Sequence, residues 1–198
     1  MAEKTRIAVL VSGGGTNLQA LIDAEKSGII TSGEIVLVCS SNPDAYALTR
    51  ASDNGIATHV IESEQDLLDQ LESNGIELII LAGFMTILSP EVIKRYPERI
   101  INVHPALIPS FCGKGFYGLK VHQKALEYGV KVTGATVHFV NEVPDGGRII
   151  YQKAIDILDD DTPETLQRRV MENCEWILLP KAAQKVSDEI MKAKEEQK

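Results

Sequence analysis

Three cysteines in 198 residues, Cys39, Cys112 and Cys174, are too few, too widely spaced and odd in number for a disulfide framework. No Cys/His pair has zinc spacing, so free thiols and no structural metal are expected. Basic residues are outnumbered, 20 Lys and Arg against 28 Asp and Glu for a formal charge of −8, and no Lys/Arg run occurs outside the mixed-charge C-terminal tail. That balance excludes a nucleic-acid binder held by a basic surface and requires any anionic ligand to be held by local geometry. No apolar stretch reaches the ~18 residues of a membrane span. The N-terminal "MAEKTRIAVLVSGGG" offers a short hydrophobic run without a cleavage site, so no secretory signal and a cytoplasmic protein are the expectation. Internal repeats, low-complexity segments and linkers are also lacking, so one domain over 1–198 is preferred to two.

What is present is a globular composition, 44% apolar and 24% charged, with enough length for a sizeable core. Through Phe84, short aliphatic runs alternate with amphipathic stretches. "RIAVLV" leads to the helical pattern "NLQALIDAEKS", "EIVLVCS" to "DAYALTRASDN", and "ATHVI" to "EQDLLDQLESN", with Gly28, Gly55 and Gly75 as the stops. A fourth strand, "ELIILAG", a short helix "SPEVIKRY", a fifth strand, "RIINV", and a helix "GLKVHQKALEYG" follow. Continuous aliphatic strands separated by helices imply an α/β fold with an open, mostly parallel, doubly wound sheet, Rossmann-like in its N-terminal half. "KVTGATVHFV" and "GRIIYQKAI", joined by the turn-forming "NEVPDGG", predict an antiparallel extension of that sheet in the C-terminal half. One last helix is predicted from Thr162-Pro163-Glu164 to a fraying "MKAKEEQK".

The glycine-rich turn "VLVSGGGTNLQAL" runs from the first strand into the first helix. It suits two readings, a tight structural turn or a cradle of backbone N–H groups for an anion at a helix N-terminus. Leu18 stands where a dinucleotide fingerprint wants glycine, and the Gly-Lys-Ser/Thr of a P-loop is absent, so one phosphate fits better than a pyrophosphate. Gly15, Thr16 and Asn17 are the candidate contacts.

In "RIINVHPALIPSF", strand alternation puts Asn102 and His104 on one face and Ile101 and Val103 on the other, at a carboxyl strand end where ligands collect in open α/β sheets. Asp145 in "VPDGG" either shapes a turn or reaches His104. In the second case it would favour the imidazolium, and the three side chains would suit acyl transfer without a protein nucleophile. His138 shares a strand face with Thr136 and is a candidate for contact with the site. His122 is expected to pack or cap locally in its helix, His59 has no partner visible in sequence, and Cys112 is taken as an incidental thiol in a glycine-rich loop, "CGKGFYG", over the site.

Four ordered motifs, "VLVSGGGTNLQALID", "LAGFMTILSP", "INVHPALIPSF" and "GATVHFVNEVPDGG", carry a resemblance over nearly the whole chain. The sequence resembles the phosphoribosylglycinamide formyltransferases, or glycinamide ribonucleotide transformylases, of purine biosynthesis. The resemblance implies transfer of the formyl group of 10-formyltetrahydrofolate to the amino group of glycinamide ribonucleotide. It gives Asn102, His104 and Asp145 the catalytic roles, Gly15, Thr16, Asn17 and Glu175 the ribonucleotide contacts, and Phe84, Met85, Thr86, Ile87, Leu88, Val140 and Asp145 the folate contacts. Residues 1–100 become the phosphate-binding half and 101–198 the catalytic and folate-binding half. The co-substrate and the ribonucleotide are the only partners expected, with no metal, nucleic acid or membrane, in a monomer or weak homodimer. Thr86 replaces a common arginine, Ala106 a common serine and Arg148 a frequent proline, while Glu172 stands where a polar or basic residue is often found. The alternatives are a formyltetrahydrofolate hydrolase, which usually shows a doubled histidine and an added N-terminal domain, and a non-catalytic nucleotide-binding module. Methionyl-tRNA formyltransferase would need a long C-terminal RNA-binding domain.

Overall fold

The computed structural model describes residues 3–196. Strands β1 (Thr5–Val11), β2 (Gly33–Ser40), β3 (Ala57–Val60), β4 (Leu78–Leu81) and β5 (Ile100–His104) run parallel, and β6 (Val132–Phe139) and β7 (Ile149–Asp156) are antiparallel additions. The spatial order is β3, β2, β1, β4, β5, β6, β7 in one sheet. Because β1 lies between β2 and β4, the chain leaves β1 toward one side of the sheet and β4 continues toward the other. The loops following β1 and β4 therefore part at a topological switch point, the place where open α/β sheets form a crevice.

Helices α1 (Thr16–Lys26), α2 (Tyr46–Asp53), α3 (Glu64–Ser73), α4 (Pro90–Arg95), α5 (Leu119–Tyr128), α6 (Pro163–Val170) and α7 (Trp176–Glu196) cover the sheet. Their starts follow local chemistry. Ser63 and Ser89 accept N–H groups of the first turns of α3 and α4, and Thr162 and Thr165 form a reciprocal capping box on α6. Alternation along each strand divides the apolar side chains between two layers. Ile7, Val9, Ile80, Ile101 and Val103 pack under α1, α6 and α7, while Ala8, Leu10, Ile79, Leu81 and Ile100 pack against α3 and α4. Asn102 and His104 follow Ile100 in register on the α3/α4 side, at the end of the strand where that core gives out.

The expected architecture is present, with one difference in the last helix. It is broken by a π turn, Met171–Glu175, between α6 and α7. An inserted residue in a helical turn carries no periodicity of its own, so hydrophobic spacing cannot reveal it. Pro180, one turn further on, lacks the N–H that would bond back to Trp176. α7 continues through Glu196, and the end of the segment expected to fray lies outside the described residues.

The turn before α1 depends on one glycine. Gly15 sits at φ 72°, and a Cβ there would lie 2.6 Å from the Ala47 side chain. Gly15→Ala therefore meets both left-handed strain and a clash with α2, and is expected to cost about 2 kcal/mol or more. Urea unfolding checks this, and an unchanged midpoint would contradict it.

Candidate active site

The loops at the carboxyl ends of β1, β4 and β5 and the turn between β6 and β7 enclose a cleft of about 640 Å³, whose walls include Asn17, Asn102, His104, Asp145 and Glu175. A second cavity of about 140 Å³ adjoins it, walled by Phe84, Leu88, Val140 and His138. Asn102 and Asp145 line both spaces. A molecule in either one would face the same two side chains.

Asn102, His104 and Asp145 come together although 43 positions separate the first from the last (145 − 102). Asp145 Oδ2 lies 3.6 Å from His104 Nδ1, and Oδ1 lies 3.5 Å from His138 Nε2. Antiparallel pairing sets Asn102 opposite His138 and His104 opposite Thr136, which brings the second imidazole to the site. A register shift on the other side of β6, between Val137 and His138, marks a bulge at the same point. His138 Nδ1–H donates to the Phe139 carbonyl at 2.8 Å, so in the neutral ring Nε2 accepts from Asn102 Nδ2 at 3.3 Å. The second N–H of the Asn102 amide stays available.

His104 Nε2 lies 2.8 Å from the Phe111 carbonyl oxygen, which can only accept, so Nε2 carries the proton. Gly113 N–H donates to Asp145 Oδ2 at 2.8 Å. The segment 111–113 thus touches both partners through its backbone.

Burial is the largest influence on His104, which is 4% exposed, and it lowers the imidazole pKa below the usual histidine range. Asp145 and the Phe111 carbonyl act upward and do not overcome it. The carboxylate does favour the imidazolium, as the sequence suggests, but burial is the larger effect. Desolvation of the charged ring outweighs a carboxylate held 3.6 Å away, and the resting ring is neutral near pH 7. For Asp145, burial acts upward, but His138, His104 and the Gly113 N–H together hold the carboxyl below its ordinary range. It is ionised at neutral pH.

The other sequence candidates divide. Asn17 and Glu175 meet directly, with Asn17 Nδ2 donating to Glu175 Oε2 at 2.7 Å. The π turn ends on Glu175 and buries it, and burial lifts its carboxyl to about 7 against the opposing effect of the Asn17 hydrogen bond. Asn17 Oδ1 has no hydrogen-bond partner among the described residues. Gly15 is the N-cap of α1, and Thr16 is exposed with its hydroxyl 3.8 Å from Met171 Sδ, so both lie beside the cleft rather than on its lining. Phe84, Thr86, Ile87 and Leu88 wall the smaller cavity together with Val140, while Met85 faces the larger one. Met85 N–H donates to Ser12 Oγ at 3.0 Å, which ties that loop to the end of β1.

Sequence reasoning missed the backbone contributions of Phe111 and Gly113, because a carbonyl or amide direction leaves no mark in residue type. It also missed Gln167 and Met171, which line the cleft from α6 and the π turn. His122 is fully buried in α5, as expected of a packed residue, yet it lines the cleft and neither ring nitrogen has a partner among the described residues. Burial lowers its pKa to about 4. His59 pairs with Asp66 at 2.8 Å, away from the site, and Cys112 is a half-buried free thiol in the loop after β5. No helix among the described residues is long and apolar enough to cross a membrane.

The sequence pattern of the formyl transferase family matches residues 5–182. A phosphoribosylglycinamide formyltransferase of Haemophilus influenzae is 41% identical over 176 residues, covering 84% of this chain and 80% of that protein. The chloroplastic phosphoribosylglycinamide formyltransferase of Arabidopsis thaliana is 38% identical over 85% of this chain, which spans 61% of the plant protein's length. The crystal structure of glycinamide ribonucleotide transformylase 1 from Symbiobacterium toebii superposes with a TM-score of 0.86 at 38% identity, over 93% of this chain and 88% of that one. By sequence and by fold, the chain belongs to the formyl transferase family, among the phosphoribosylglycinamide formyltransferases.

Proposed function

We propose that this protein transfers the formyl group of 10-formyltetrahydrofolate to the amino group of glycinamide ribonucleotide, giving formylglycinamide ribonucleotide and tetrahydrofolate in purine biosynthesis. One observation carries the proposal: an ionised carboxylate, a buried neutral imidazole and a primary amide converge where two cavities meet. The smaller, mostly apolar space suits the folate ring system, with Phe84, Ile87, Leu88 and Val140 as its walls. The larger cleft suits the ribonucleotide, with Asn17 and Glu175 facing it and the amino end of α1 beside it for the phosphate. Residues 1–100 then supply the phosphate turn, and 101–198 supply the reacting groups.

The ribonucleotide amine attacks the formyl carbon, a C–N bond forms, and the formyl oxygen becomes an oxyanion. Asn102 donates its free amide N–H to that oxygen. His104, entering neutral, takes the proton released by the attacking amine at Nδ1, and the carboxylate of Asp145 stabilises the imidazolium so formed. The charged ring then stabilises the oxyanion, and the proton passes, through water, to the departing folate nitrogen as its C–N bond breaks. No protein group is acylated, and proton gain and loss balance over the cycle.

Removal of one oxyanion donor typically costs roughly 2.7–4 kcal/mol, so Asn102→Ala and His104→Ala are each expected to lower kcat by about 100-fold or more. Purified, folded variants with wild-type turnover would refute the assignment. Product analysis tests the reaction itself: folate turnover should require glycinamide ribonucleotide, whereas formate release without it would indicate a hydrolase.

Glu175 adds a pH dependence. Its carboxyl titrates near 7 when folded, against 4.5 as the ordinary value, so over that interval the native protein holds a proton the unfolded chain has released. The associated stability is present below the ordinary value and is lost as pH rises toward 7. Urea midpoints of wild type and Glu175→Gln at about pH 5 and pH 7.5 check this. The wild type should lose more stability across the interval, and parallel curves would contradict the prediction.

A further inference from the structure

We infer that Phe111 is a positioning residue for His104: its left-handed backbone turns its carbonyl onto Nε2, its ring contacts hold that carbonyl in place, and Nδ1 is left as the working nitrogen. The inference rests on the role proposed for His104 and adds a residue that has no chemistry of its own to offer.

Phe111 has φ 49°, a conformation that a side chain with a Cβ rarely adopts and that persists where surrounding contacts over-determine it. Those contacts are present. The ring meets Phe116 edge-on with centroids 6.3 Å apart, and Tyr128, the last residue of α5, with centroids 5.9 Å apart at 77°. The carbonyl thus held lies 2.8 Å from His104 Nε2.

A carbonyl oxygen at that distance selects a tautomer. With the proton on Nδ1, the Nε2 lone pair would confront the carbonyl oxygen, two acceptors with no hydrogen between them. With the proton on Nε2, the 2.8 Å bond forms, and the Nδ1 lone pair faces Asp145 Oδ2 at 3.6 Å, beyond hydrogen-bond distance, where that oxygen already accepts from the Gly113 N–H. Only that tautomer can take the proton of the attacking amine at the nitrogen beside the carboxylate. Two residues further on, the Gly113 N–H binds Asp145 Oδ2 at 2.8 Å, so the same short segment orients the carboxylate. Phe111 stands behind the imidazole and Gly113 beside the carboxylate, and their spacing sets how the two face each other. Lys114 to Gly118, which line the cleft, join this segment to α5.

Nitrogen-15 NMR of the protein labelled in histidine reads the tautomer directly, with the His104 resonances assigned by their loss in His104→Gln. Above its pKa, wild-type His104 is expected to carry its proton on Nε2. Phe111→Leu removes the aromatic contacts and Phe111→Gly removes the ring altogether. Both should shift the resonances toward a mixture of tautomers and lower kcat by about 10- to 100-fold, with KM for either substrate little changed. Phe111→Tyr should retain the wild-type signature and rate. A wild-type proton on Nδ1, or variants without the ring that keep both tautomer and kcat, would overturn the inference. Should Phe111→Gly fail to fold, Phe111→Leu and the wild-type tautomer still decide it. An Nε2 proton in a wild-type protein without transfer activity would instead count against the proposed function and leave this geometry standing.

Discussion

A carboxylate taken out of water needs beside it a donor or a group able to carry positive charge, and Asp145 has such partners in three directions: the Gly113 N–H donates to it, and the two imidazoles favour its charge when protonated. His104 ends β5, His138 lies in β6 and Gly113 belongs to the loop after β5. Burial alone would push the acid toward its neutral form, and the three partners reverse that. None of the three belongs to the turn that carries Asp145. The charged state of the acid therefore depends on the packing of β5 against β6 and on the fold of the segment that follows β5.

That dependence explains why the sheet has to be built as it is. Strand alternation commits Ile101 and Val103 to the α1/α7 layer and turns Asn102 and His104 the other way. Antiparallel addition of β6 then sets His138 opposite Asn102. The switch point between β1 and β4 opens space at the same edge, and the glycine turn before α1 borders it without a side chain in the way. The broken last helix completes the wall by presenting Glu175 to Asn17. Neutral His104, ionised Asp145 and a Glu175 that titrates near 7 are consequences of how each is buried and partnered.

Much of this was legible in the sequence because it is written in residue type and spacing. The βα units, the Asn102/His104 pair on one strand face and the DGG turn follow from alternation and turn chemistry, whereas the approach of Asp145 to His104 was open in residue type and was implied only by the family resemblance. His138 could be marked by its alternation with Thr136, although its contact with Asp145 depends on strand register. Other parts were not legible for physical reasons. The Phe111 carbonyl and the Gly113 amide are backbone groups whose directions depend on dihedral angles. The π turn at 171–175 inserts one residue without altering the apolar pattern around it. The resting charge of His104 is a balance between desolvation and a nearby carboxylate, and residue identity gives the signs of those effects without their sizes.

The account turns on the negative charge of Asp145, and Asp145→Asn removes that charge while keeping the shape. Single-turnover formyl transfer with both substrates saturating measures its effect on the chemical step alone. The account predicts a folded variant whose transfer rate is lower by about 100-fold or more, because the imidazolium that forms at His104 loses its counter-charge. A variant that transfers the formyl group at the wild-type rate would contradict it.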